Sequence, residues 1–82
     1  MATKLRIGNI PSSATEKDLS VVFGLFGSVE SVKIMRDALT GLSKGLAQVE
    51  MATAKQAAAA ITELNFTQYG GQVISVSAAK GG

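Results

Sequence analysis

Apolar and polar residues alternate along Lys4-Leu5-Arg6-Ile7-Gly8, the period-two pattern of a strand with one buried face. Leu5 and Ile7 fall inward; Lys4, Arg6 and Gly8 fall outward. Asn9-Ile10-Pro11-Ser12-Ser13 breaks the strand. The period then changes. Leu19, Val22, Phe23 and Phe26 recur at helical spacing and predict an amphipathic helix over 16–26. Thr15 is placed to cap it, Glu16 and Asp18 suit the positive end of its dipole, and Gly27 is a natural stop. Alternation returns over 29–36, with Val32 and Ile34 on one face and Ser31, Lys33 and Met35 on the other. A turn containing Thr40-Gly41 separates this strand from a third over 45–51. There Ala47, Val49 and Met51 alternate with Leu46, Gln48 and Glu50. Thr53 and Gln56 have the spacing of a capping box and open a second helix over 54–64, with Ala57, Ala60, Ile61 and Leu64 as its buried stripe. After a loop at 65–71, with room for a short extended piece near Phe66–Tyr69, a last strand is predicted over 72–78, with Ile74 and Val76 inward and Val73, Ser75 and Ser77 outward.

The element order is β-α-β-β-α-β. It predicts a ferredoxin-like α+β sandwich, a four-stranded antiparallel sheet with two helices on one face, forming one domain over 1–82 with its core at about 4–80. Two helices cover one face, and nothing in the chain is left to cover the other. The outward side chains therefore mark where function is to be sought. Lys4, Arg6, Lys33, Lys44 and Lys80 lie on or beside that face against Glu50, whereas Glu16, Asp18 and Glu63 fall on helices. A chain with a formal net charge of only +2 thus becomes basic on its sheet side, a distribution that attracts polyanions. The same lysines also serve as ordinary guards against strand-to-strand association.

Composition removes whole classes of chemistry. The 82 residues contain no Cys and no His, which excludes disulfides, Cys/His zinc sites, His-dependent triads and Cys nucleophiles. The carboxylates are scattered, so no dedicated metal site and no cofactor are expected. Gly41-Leu42-Ser43-Lys44-Gly45 lacks phosphate-loop spacing and precedes a strand instead of a helix. No apolar run has the length of a membrane span, and Met1–Arg6 lacks the apolar stretch of a secretory signal. The expectation is an intracellular, monomeric, non-enzymatic module. Aromatics are confined to Phe23, Phe26, Phe66 and Tyr69. The first two read as core, Tyr69 as a loop anchor and Phe66 as packed beneath its loop, with stacking on a base as its alternative role if it is exposed.

Two stretches carry a resemblance. Leu5-Arg6-Ile7-Gly8-Asn9-Ile10 and Lys44-Gly45-Leu46-Ala47-Gln48-Val49-Glu50-Met51 resemble the hexapeptide and octapeptide signatures of the RNA recognition motif family. Phe26–Ile34, Thr40-Gly41 and Gly70–Val76 are similar to the family's corresponding passages, in the same order. The resemblance spans about 4–80. It implies binding of single-stranded RNA, or single-stranded DNA, on the open sheet through Lys4, Arg6, Lys33, Met35, Lys44, Leu46, Gln48, Ser75, Ser77 and Lys80. The departures are specific: the positions of the family's stacking aromatics match Arg6, Leu46 and Gln48, and its last octapeptide aromatic, a core position, matches Met51. Stacking contributes about 1–3 kcal/mol per base, so weaker binding is expected. Arg6 offers a planar guanidinium, Gln48 a hydrogen-bonding amide, and Leu46 and Met35 apolar contact. Two alternatives stand beside this reading: a protein-docking face built on Met35, Leu46 and Val73, and a small regulatory ligand-binding domain of related topology.

Overall fold

A computed structural model describes residues 3–79. Lys80, one of the predicted site residues, lies outside the described residues. The elements are β1 (Lys4–Gly8), α1 (Glu16–Gly24), β2 (Val29–Arg36), β3 (Ser43–Met51), α2 (Ala54–Leu64), β4 (Gln68–Tyr69), β5 (Gln72–Val73) and β6 (Ser75–Ala78). The main sheet is antiparallel with strand order β2-β3-β1-β6. The ferredoxin-like sandwich is thereby present, and β1 and β3, which carry both signature stretches, are its central strands.

The alternating pattern becomes a two-sided sheet. Leu5, Ile7, Ala47, Val49, Met51 and Val76 are buried together with Leu19 and Phe23 of α1 and Ala57 and Ala60 of α2. The small side chains of α2 let its backbone approach the sheet closely. No polar or charged residue is buried among the described residues, so the core is purely apolar and sits between the helices and one sheet face.

Both helices begin where their caps dictate. The Thr15 hydroxyl accepts from the Asp18 N–H at 3.2 Å, and the Asp18 carboxylate accepts from the Thr15 N–H at 3.1 Å. This is a complete capping box. In α2 the box is only half formed: Thr53 accepts from the Gln56 N–H at 3.1 Å. The Gln56 side chain instead lies against Gly27, and its Oε1 is buried without a hydrogen-bond partner among the described residues. Helix α1 ends at Gly24, short of the predicted Phe26. The chain tightens there into three-residue steps, Leu25 N–H to Val22 O and Phe26 N–H to Phe23 O. Phe26 still packs on the core, which is why helical periodicity overran the helix.

The C-terminal strand predicted over 72–78 is two strands. Val73 pairs with Gln68 in a β4-β5 hairpin, while Ser75–Ala78 pairs with β1. The division falls at Ile74, whose N–H and C=O are bonded to Thr67 and Phe66 instead of to β1. Val73 therefore leaves the open face of the main sheet. Phe66 also departs from expectation. It adopts φ 62° and is 76% exposed instead of packing under its loop. Tyr69 does anchor the hairpin against the core; burial first, and then the nearby Asp18 carboxylate, push its phenol above the ordinary value.

Candidate nucleic-acid interface

Strand register decides which outward residues become neighbours. On β1, Arg6 faces Gln48 of β3 on one side and Ser77 of β6 on the other. Gln48 in turn faces Lys33 of β2. One row, Lys33–Gln48–Arg6–Ser77, thus crosses all four strands, and every member is exposed. A second row places Ser31, Glu50 and Lys4 in register. A third sets Leu46 and Ser75 on either side of Gly8. Gly8 keeps that row shallow, since a Cβ there would stand 2.7 Å from the Ser75 hydroxyl.

The face is bare but not flat. A depression of about 460 Å³ is lined by Arg6, Gln48, Ser77, Ala78 and Ala79. Another of about 240 Å³ is lined by Lys4, Ser31, Lys33, Gln48, Val49 and Glu50. Gln48 borders both. Of the remaining predicted site residues, Met35 is half-buried and falls where β2 and β3 slip register between Ile34 and Arg36. Lys44 is exposed at the start of β3, just before Gly45, which adopts φ 77°.

Charge is segregated on this surface. Among the described residues the single ion pair joins Arg36 to Glu16 at 3.2 Å, at the end of β2 and the start of α1. Among these residues no carboxylate lies within ion-pair distance of Lys4, Arg6, Lys33 or Lys44. Glu50 is the one acid on the face; it is half-buried and accepts from the Thr3 hydroxyl at 3.5 Å. Unneutralised cations on an exposed surface are what a phosphate backbone needs.

Two residues that shape the rim were not singled out from the sequence. Asn9 follows β1 with φ 60°. Its amide donates to the Val73 carbonyl at 2.8 Å, and the Gln72 amide donates to the Asn9 carbonyl at 3.0 Å. This clasp ties the β4-β5 hairpin to the end of β1. The available signal was Asn after Gly8, since Asn is among the few residues that tolerate a positive φ.

A two-layer sandwich with a bare cationic sheet, carrying its signature stretches on the two central strands, defines a ribonucleoprotein-type binding module. The chain belongs to the RNA recognition motif family, whose pattern matches residues 5–75; this is an RNA-binding family and not a family of enzymes. It is 42% identical to RbpD of Nostoc sp. over 90% of this chain and 79% of that protein. It is 35% identical to the chloroplastic RNA-binding protein CP33 of Arabidopsis thaliana over 90% of this chain, which amounts to 22% of CP33. Among solved structures, the sex-lethal protein/RNA complex superposes with a TM-score of 0.93 at 30% identity, covering 100% of this chain and 49% of that one.

Proposed function

We propose that this chain binds single-stranded RNA across its open sheet face. The observation that carries the reading is the exposed row Lys33–Gln48–Arg6–Ser77, on a surface where, among the described residues, no carboxylate lies within ion-pair distance of Lys4, Arg6, Lys33 or Lys44. The resemblance to a protein solved in complex with RNA supports it. Lys4, Lys33 and Lys44 meet phosphates; Arg6 and Gln48 meet bases; Leu46 and Met35 supply apolar contact; Ser75 and Ser77 supply hydroxyls able to engage base edges or the ribose 2′-OH. Because Arg6, Leu46 and Gln48 replace stacking aromatics, the affinity is below that of an aromatic platform by a few kcal/mol, at about 1–3 kcal/mol per lost stack. Single-stranded DNA binds the same cations and lacks the 2′-OH contacts.

The test is a titration of the isotope-labelled chain with mixed short RNA oligonucleotides at low salt. Amide shifts are expected along β1, β3 and β6 around Arg6, Gln48 and Ser77, with little change on the helices. A titration that moves no sheet resonance overturns the reading. The competing occupant is a protein, favoured by Leu46, which is apolar and 37% exposed in the middle of the face. Loss of a captured protein on Leu46→Asp, with the fold intact and no RNA response, would establish that reading in its place.

A further inference from the structure

The replacement of aromatics on this face leaves a specific arrangement of donors and acceptors. Resting on the RNA-binding reading above, we propose that the Arg6–Gln48–Ser77 row reads a guanine by its edge instead of stacking a base of any kind. Position separates Arg6 from the other cations. Lys33 is on the edge strand β2, Lys4 opens β1 and Lys44 lies near the start of β3, all at the margins where a backbone would run. Arg6 is in the middle of a central strand, between Gln48 and Ser77, and it borders the depression of about 460 Å³.

The chemistry of the row narrows what fits there. A guanidinium presents donors only, in a planar fork. It pairs best with two adjacent acceptors in one plane, which guanine offers at N7 and O6. Adenine sets an amino donor beside its N7, so one arm of the fork would meet another donor. Uracil lacks an adjacent pair of acceptors. Cytosine offers N3 and O2 on its pairing edge and is the rival that the experiment must separate. Gln48 and Ser77, each able to donate and accept, flank the fork and can satisfy the base's remaining polar atoms. Among the described residues no carboxylate lies within ion-pair distance of Arg6, which leaves the fork its donors for a ligand.

The experiment measures binding of the purified chain, at low salt, to oligouridine octamers with one central G, A, C or 7-deazaguanine. Guanine should bind about tenfold more tightly than adenine, the scale of discrimination a bidentate pair provides. Removing N7 should abolish that advantage. Arg6→Lys keeps the charge and loses the fork, so it should bind the guanine and adenine octamers alike. Lys33→Gln should weaken all four ligands alike. Equal binding of guanine and 7-deazaguanine, a preference for cytosine, or an intact guanine preference in Arg6→Lys would overturn the inference while leaving RNA binding in place. If none of the oligonucleotides binds, the RNA-binding reading itself fails, and base selection fails with it.

Discussion

At the residue scale the proposed interface turns on what stands at three positions on the central strands. Arg6, Leu46 and Gln48 are exposed and carry no aromatic ring, so the face depends on charge and hydrogen bonding more than on stacking. Two substitutions probe this in opposite directions. Arg6→Ala should weaken RNA binding by about 1–3 kcal/mol through loss of its base contact, read by anisotropy against an unchanged melting temperature. Leu46→Phe combined with Gln48→Phe should strengthen it, each ring adding about 1–3 kcal/mol of stacking. A doubly substituted chain with no gain in affinity would show that RNA does not cross these two positions. Arg6 was visible in the sequence as an outward residue of β1, because alternation alone assigns faces. Its partners Gln48 and Ser77 were visible only as members of the same face. That they flank Arg6 directly depends on pairing between residues 42 and 71 positions away in the chain.

At the element scale, loops and corners show where local signals suffice. The β2-β3 turn is held by Asp37, whose carboxylate accepts from the Leu39 and Thr40 N–H groups at 2.9 and 3.0 Å. The backbone donors of Thr40 and Leu39 hold its pKa below the ordinary 3.8. A depressed carboxylate contributes stability that is fully present above its unfolded value and is lost as pH falls through the lower folded value. Exchange of the Leu39 and Thr40 amides, corrected for intrinsic rates, should therefore stay protected at pH 3.8 and accelerate only below it; Asp37→Ala should remove the protection at neutral pH. The corner between α1 and β2 is tighter. Gly27 sits at φ 153°, and a Cβ there would overlap the Gln56 side chain. Gly27→Ala should cost about 1–3 kcal/mol in thermal unfolding, and adding Gln56→Ala should return part of the loss. No return would assign the cost to backbone strain alone. The Gly at 27 was legible as a stop signal; its contact with Gln56 was not, because the two belong to different elements.

On the scale of the whole molecule, the asymmetry between the two sides of the sheet is the functional property. One side is an apolar core closed by helices, and the other is an exposed cationic surface. If Lys4, Lys33 and Lys44 each neutralise one phosphate, the logarithm of the affinity for single strands should fall with the logarithm of salt at a slope of about −2, at about −0.7 per phosphate. Neutralising one of these lysines should make the slope shallower by about 0.7. A slope near zero would mean that the cations do not face the backbone. None of the helices among the described residues is long and apolar enough to cross a membrane.

Sequence alone determined the order of the two helices and the main-sheet strands, the faces of the alternating residues in the middle of β1, β2 and β3, and the start of both helices. These features rest on side-chain periodicity and on caps a few residues away, so the information is local. The tertiary structure decided the rest. It ended the last strand's continuity at Ile74, where Phe66 and Thr67 capture the backbone, and it turned Phe66 outward. It also aligned Lys33, Gln48, Arg6 and Ser77 into one row. Strand register is a bargain among backbones distant in the chain, and no periodicity within a single strand encodes it.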